Sequence, residues 1–408
     1  AFDLHDAGFD GEAIHLLSAI DAPTTPMVFY TLADLLEKRG ENTEAARACA
    51  MNCMPQNTFP YRLDEIRVLE HAIGNEQDDR ARDLLACVLY DKGHYARAAS
   101  LWSEALALKP DCALYHRNLA VALFSHMKRR DEAMEHLLQA MELEPANDQL
   151  KLEYLYAATK CGLAGEERLR VIAGHPLAGK ASDDYVLEHA KAFCIAGRYD
   201  DALKVMLSHS FVPAEGGEMA ISGLYFSIML HKGREQMRLG NYEEALQIFE
   251  NALLLPENLH SGLWAETDQI PLYYYQAIAL EKLGRIEESK KRYALVLKRI
   301  TTAKPELPFY YGSAMRAMGR DVEGRIFISR TVRALEEKAS HLSVGWEDIT
   351  AAFNPFVNDP QEQREGMCAY WRGMIKKYEG DMAGAHALFE KSRRLWPENL
   401  NTWIEMDF

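Results

Sequence analysis

Apolar residues along this chain recur at helical spacing, and the helical segments themselves recur at a longer interval. Between Asp79 and Cys112, alanines and large apolar residues follow a helical period on either side of Gly93, and the second helical stretch stops before Pro110. Small residues allow two helices to approach closely, while large residues fill the space between helix pairs. Glycine readily adopts the left-handed turn that ends a helix, and proline cannot continue one. The pattern predicts a helix-turn-helix unit of about 34 residues.

Similar units occur along most of the chain. The next one ends at Pro145, 35 residues after Pro110, because the turn at Met127 to Arg130 has one extra residue. Looser copies share a turn glycine, a small residue five positions later and a large residue nine positions later. Their turn glycines are Gly8, Gly40, Gly197, Gly240, Gly284, Gly319 and Gly380. Strand-like alternation is almost absent, so the predicted fold is all-α: a right-handed α-solenoid of tetratricopeptide-like helix-turn-helix repeats.

Some intervals between turn glycines are longer than one repeat and must hold additional structure. The helical period of residues 61–73 predicts an extra helix, and residues 148–174 predict a degenerate helix pair. Residues 341–366, with two prolines, predict a long ordered loop containing one helical turn. We therefore expect one continuous superhelix with four regions. These are 1–78 (degenerate repeats and the extra helix), 79–179 (the best repeats and the degenerate pair), 180–304 (middle repeats) and 305–408 (C-terminal repeats).

The charge and cysteine content exclude several classes of protein. The formal net charge is -15, with 61 acidic against 46 basic residues, which argues against a nucleic-acid-binding surface. The sequence contains no apolar run of about 18 residues or more, so we expect no membrane span. Seven cysteines without regular spacing fit a reducing compartment, and the expected location is the cytoplasm. Because the chain begins with Ala1 rather than Met, we interpret it as a fragment.

Motifs that would indicate catalysis or metal binding are absent or incomplete. The segment Gly174 to Lys180 resembles a phosphate-binding loop, but Pro176 removes a backbone amide and Ala181 stands where a serine or threonine would bind magnesium. Cys49 and Cys53 are four residues apart, yet two thiols do not make a zinc site. We therefore predict a protein that is not an enzyme, with no catalytic residues, no metal ligands and no cofactor.

Two loops and two aromatic clusters are not explained by the repeat and are candidate binding elements. The loops are Phe211 to Glu218, with paired glycines, and Leu255 to Leu259. Either they are interhelical connectors with capping acids, or they meet and contact a neighbouring domain. Some aromatic rings of Tyr273 to Tyr275 and Phe309 to Tyr311 should face the groove of the superhelix, while others pack between helix layers. The candidate binding residues are Glu215, Gly216, Gly217, Glu218, Glu257, Asn258, Tyr273, Tyr274 and Tyr311.

These loops also carry a resemblance to a known family. The matching stretches are Tyr90 to Pro110, Phe211 to Glu218, Pro256 to Leu259, the turn at Gly284 and the loop around Ser343 to Asp359. There the chain resembles the C-terminal tetratricopeptide-repeat region of large bacterial proteins that carry an N-terminal β-sandwich domain of unknown function, similar to carbohydrate-active enzymes. The loop around Ser343 departs most from the pattern. The resemblance implies that this chain adjoins a β-rich region in a larger bacterial protein.

Three functional hypotheses remain open from the sequence. The leading one is a non-catalytic scaffold for protein–protein or interdomain contacts, whose partner is a separate protein or a covalently linked β-rich domain. The alternative is a helical domain that helps to form a carbohydrate-binding or carbohydrate-processing site, with Glu215, Glu218, Glu257 and groove aromatics touching a glycan. The third is self-association through the open N-terminal end, so the oligomeric state stays undetermined.

Overall fold

The described residues of the computed structural model form helices joined by turns and short connectors. They comprise residues 1–20, 25–53, 59–74, 77–212, 218–260, 266–298, 300, 307–340 and 354–406. Within these ranges every regular element is helical, which confirms the all-α prediction. The chain divides into two compact units, residues 1–150 and 151–408. The division falls inside the predicted region 79–179, and the four-region organisation stays a prediction.

The first unit consists of helices packed on their neighbours in the chain. They are α1 (Phe2–Asp6), α2 (Asp10–Ser18), α3 (Pro26–Lys38), α4 (Glu44–Asn52), α5 (Leu63–Ala72), α6 (Asp79–Asp91), α7 (Tyr95–Leu108), α8 (Ala113–Met127) and α9 (Arg130–Leu143). Helix α5 is the extra helix predicted for residues 61–73. The turn between α8 and α9 contains Lys128, a non-glycine residue with φ of 56°, at the place where the sequence has one residue more than the repeat.

The second unit follows the same pattern over more helices. They are α10 (Asp148–Cys161), which crosses the division, α11 (Gly165–Gly174), α12 (Asp183–Ile195), α13 (Tyr199–Leu207), α14 (Glu218–Arg238), α15 (Tyr242–Asn251), α16 (Glu266–Lys282), α17 (Ile286–Leu297), α18 (Leu307–Ala317), α19 (Asp321–Ser340), α20 (Pro360–Glu379), α21 (Met382–Leu395) and α22 (Leu400–Met406). A short 3-10 helix, Glu257–Leu259, precedes α16. Helices α10 and α11 lie in residues 148–174, where a degenerate helix pair was predicted.

The predicted loop of residues 341–366 is wrong at its C-terminal end. Helix α20 already begins at Pro360, because proline suits the first helical position and the Asp359 carboxylate accepts hydrogen bonds from the amides of Gln361 and Glu362. Residues 341–353 lie outside the described residues. Of the two prolines that suggested a loop, Pro360 therefore marks the start of a 20-residue helix.

Turn glycines and close helix contacts explain why these hairpins form. All eight predicted turn glycines have positive φ, as at Gly93 with 82°. Within the hairpins, a helical glycine meets a large side chain or the backbone of the partner helix. A Cβ atom on Gly373 would lie 2.6 Å from the ring of Phe389, and one on Gly324 would lie 2.7 Å from the Gly312 carbonyl oxygen. The loosest predicted repeat, at Gly319, is thus a tightly packed hairpin.

Helix α14 allows a matched test of this packing. In the variant Gly233→Ala the new methyl group would overlap the Phe249 ring, and we expect the free energy of unfolding to fall by about 1–3 kcal/mol. Gly223 lies in the same helix, and a Cβ atom added there would meet no atom within 4 Å, so Gly223→Ala should stabilise by up to about 1 kcal/mol. Urea unfolding followed by circular dichroism measures both, and equal effects of the two substitutions would contradict the close contact.

Candidate functional site

The two predicted loops meet in the second unit. The backbone amide of Phe211 donates to the carbonyl oxygen of Asn258 at 3.0 Å. The side-chain amide of Asn258 donates to the carbonyl oxygens of Met206 at 3.0 Å and His209 at 2.7 Å. We call residues 208–212 and 252–260 the paired connectors. Because its side-chain amide donates hydrogen bonds to two backbone carbonyl groups, Asn258 holds the paired connectors together.

Asp183, at the start of α12, fixes the first connector from the other side. One carboxylate oxygen accepts from the amide of Val212 at 2.8 Å, and the other lies 2.6 Å from Nε2 of His209. The backbone of the first connector is therefore held by two elements, α12 and the second connector. A connector held in this way loses less conformational entropy on binding a partner than a free loop does.

The paired connectors expose large apolar side chains although their backbone is fixed. Val212 is 73% exposed and Leu254 is 71% exposed. Glu257 is also exposed and begins the 3-10 helix. Glu218 is the first residue of α14, and the candidates Glu215, Gly216 and Gly217 lie outside the described residues.

The candidate aromatic residues pack mainly against one another. Tyr273 is half-buried and donates its hydroxyl to Gln269 at 2.7 Å. The Tyr274 ring lies 5.2 Å from Tyr275 and 5.4 Å from Tyr310, with edge-to-face geometry. These contacts match the alternative in which the rings pack between helix layers.

Tyr311 differs from the prediction most clearly. Its exposed fraction is 0%, and its ring packs edge-on against Phe327 at 5.9 Å. A side chain with no exposed surface cannot touch a ligand in an open groove. Tyr311 is therefore a core residue, and the sequence misplaced it because three consecutive aromatics look alike without their neighbours.

In the first unit, the buried residue Asp83 of α6 takes part in the packing of helices. The Asp83 carboxylate is 3% exposed and accepts hydrogen bonds from Trp102 at 2.8 Å and from Asn118 at 3.3 Å. Burial raises the pKa of Asp83, and these hydrogen bonds oppose that rise. The group connects three helices.

The last helix of the second unit lies against helices that are distant in sequence. Glu405 of α22 accepts a hydrogen bond from Arg234 of α14, with 2.7 Å between Nη1 and Oε1. Lys377 of α20 also pairs with Glu405. The Arg234 and Glu405 side chains are 3% and 5% exposed, so this ion pair has been removed from water.

The two cations hold Glu405 in its charged form. Burial alone would raise the pKa of this carboxyl, but Arg234 and Lys377 outweigh that effect and lower it to about 2. Burial likewise opposes the charge of Arg234, yet Glu405 raises the pKa of the guanidinium above its usual range. The charges of Arg234 and Glu405 therefore support each other.

The segment before α22 makes a second set of contacts. Glu398 lies 2.8 Å from Nζ of Lys160 in α10. The Pro397 ring packs on the turn glycine Gly162, where an added Cβ would be 3.0 Å away. Trp403 donates its indole N–H to the Pro397 carbonyl oxygen at 2.7 Å. The C-terminal segment thus bridges from α10 to α20 and closes the second unit.

Two buried polar side chains near this closure have unsatisfied atoms. Neither ring nitrogen of His231 has a hydrogen-bond partner among the residues that the structure describes, although the side chain is 1% exposed. Burial, together with the charge of Arg234, holds the pKa of His231 well below its usual value, so the ring is neutral. The side-chain amide of Gln276 is equally buried, with both polar atoms unpaired in the described part of the chain.

Glu405→Gln should remove a stabilising contribution that depends on pH. The folded-state pKa of Glu405 is depressed, so its contribution of about 3 kcal/mol is present above pH 4.5 and is lost as pH falls from about 4.5 to about 2. At pH 7 the variant leaves two cations without their partner and should lose about 3–5 kcal/mol. Urea unfolding at pH 7 and pH 3 measures both effects, with the exposed substitution Glu257→Gln as control. If Glu405→Gln retained the full pH dependence of the wild type, Glu405 would not be its source.

The structure offers no metal centre in its described residues. No three His, Cys, Asp or Glu side chains lie close enough there to hold an ion. Of the helices that the structure describes, none combines the length and apolar character that crossing a membrane requires.

Comparison with known proteins supports tetratricopeptide repeats in both units. Residues 84–148 and, separately, residues 226–259 match tetratricopeptide-repeat families. The first match covers most of the best repeats predicted from sequence, and the second runs from within α14 through α15 to Leu259 in the paired connectors. Such repeats indicate a protein-interaction scaffold.

Several solved structures are distantly similar. A chain from the structure of Naa15/Naa10 bound to HypK-THB has 17% identity over 83% of this chain, with a TM-score of 0.41. This chain spans 62% of its length. The human IFIT1 dimer with PPP-AAAA has 15% identity, covering 95% of this chain and 94% of that one, with a TM-score of 0.30. The C-terminal part of a TPR repeat-containing protein from Cytophaga hutchinsonii has 12% identity, covering 79% and 98%, with a TM-score of 0.27.

Proposed function

We propose that this chain is a non-catalytic scaffold that holds another protein, and that the paired connectors form part of its contact surface. The tetratricopeptide repeats support the general role. The position of the surface is supported by one observation: Val212 and Leu254 are exposed on connectors whose backbone is fixed by Asn258 and Asp183. Exposed apolar side chains on a preorganised backbone favour association, since little entropy is lost on binding.

The proposal includes a covalently linked partner. We place the chain in a larger bacterial protein beside a β-rich domain, on the strength of the resemblance in the loops Phe211 to Glu218 and Pro256 to Leu259. Glu218, Glu257, Tyr273 and Tyr274 stay candidates for this contact. The seven cysteines form no disulfide in the structure, which is compatible with a reducing compartment such as the cytoplasm.

Charged substitutions on the paired connectors test the scaffold role. The double variant Val212→Glu with Leu254→Glu should weaken binding of the partner recovered with the wild-type chain by at least about tenfold, because two apolar contacts become charged. Val322 on α19 is equally exposed at 73%, so Val322→Glu serves as the matched control and should bind normally. Calorimetry with the purified partner gives the affinities. Equal binding by the double variant and the control would place the contact elsewhere.

The carbohydrate hypothesis makes a different prediction for the same surface. Sugar binding to the isolated chain, measured on a glycan array and abolished by Glu257→Gln, would favour it over the scaffold. The scaffold would be favoured if the double variant weakened binding to a protein partner and the isolated chain retained no glycan on the array.

A further inference from the structure

We infer that the face covered by residues 397–406, which include α22, is a docking site for a partner segment that carries two carboxylates, and that residues 397–406 occupy this site until such a segment displaces them. This inference rests on the proposed scaffold function and names the partner's chemistry. Helices α12, α14 and α20 of the second unit lie beneath α22, and α10 lies beneath the turn that precedes it.

The charges of the site select an anionic occupant. Arg234 and Lys377 both point at one position, which Glu405 fills, and Lys160 points at a second, which Glu398 fills. Without a carboxylate, the first position would hold two largely buried cations and no counter-charge, which costs several kcal/mol per ion. The two carboxylates are seven residues apart, Glu398 in the turn before α22 and Glu405 within the helix. An occupant must reproduce that spacing.

Apolar contacts define the rest of the recognition pattern. Ile404 is 1% exposed, and Met406 packs against the aromatic cluster that includes Tyr310 and Tyr370. The buried carboxylate is thus flanked on both sides by apolar side chains. The partner segment should therefore place apolar residues directly before and after its second carboxylate, as an amphipathic helix does when it lies in a groove.

The fit of α22 is incomplete, which leaves room for a better occupant. Helix α22 has only seven residues, and isolated helices that short are unstable, so its docking depends on these contacts. His231, which lies within electrostatic range of Glu405, keeps two unpaired nitrogens among the described residues while α22 is in place. A partner segment that brings a polar group to His231 would remove that cost of desolvation.

A peptide competition experiment on the full chain tests the inference. The probe is a fluorescent peptide of residues 396–406. It should bind the variant Glu405→Gln at least about tenfold more tightly than the wild type, because a weakened internal helix leaves more of the site open. The same peptide with glutamine at both carboxylate positions should not bind, and Arg234→Gln in the chain should abolish binding. Equal peptide affinity of wild type and Glu405→Gln, both folded by circular dichroism, would overturn the inference.

Hydrogen exchange on the wild-type chain provides a test that needs no substitution. Amides of α22 should exchange by local opening faster than those of α21, and saturating peptide should accelerate exchange in α22 alone. If α22 exchanges only with global unfolding and the peptide leaves it unchanged, the site is a permanent structural contact. Neither result depends on the paired connectors, so loss of partner binding in the Val212 and Leu254 variant would leave this experiment unaffected.

Discussion

The second unit depends on the burial of Glu405 between Arg234 and Lys377. A single carboxylate joins α14, α20 and α22, and the residues it connects are up to 171 positions apart. Replacing such a group by apolar residues often costs little, so its value lies less in stability than in specifying one arrangement. If only apolar side chains held α22 in place, the helix could shift along its axis by one turn. Arg234 and Lys377 accept the carboxylate only at the position that both side chains reach. We regard this as a hypothesis about why charge is buried here.

The repeat itself was predictable because its determinants are local. A turn glycine, a small residue five positions later and a large one nine positions later lie in one hairpin, so the sequence carries the whole pattern. The glycines within the first helices of the hairpins were not recognised as part of it. Gly233 and Gly312 look like weak points of a helix until the side chain that fills the missing Cβ position is known, here Phe249 and Ile328. The start of α20 was missed because Pro360 reads equally as a loop residue or a first helical residue.

The candidate site was predictable only in part, and the reason is again distance along the chain. The loops around Phe211 and Asn258 stood out as departures from the repeat, and the structure joins them by hydrogen bonds. The aromatic clusters could not be sorted in the same way. Whether a tyrosine faces a groove depends on what fills that groove, and residues 397–406 are more than 100 positions from Tyr273 to Tyr275. Periodicity contains no information about such a contact.

The charges beneath the C-terminal segment connect the fold to the proposed binding of a partner. The chain is acidic overall, at -15, yet the face beneath residues 397–406 presents Lys160, Arg234 and Lys377. These basic side chains are paired with carboxylates, and the C-terminal segment of the same chain provides those carboxylates. Since a buried cation requires a counter-charge but not a particular chain, an anion from another molecule satisfies the same requirement. The arrangement that closes the second unit is for that reason also one that a partner can replace.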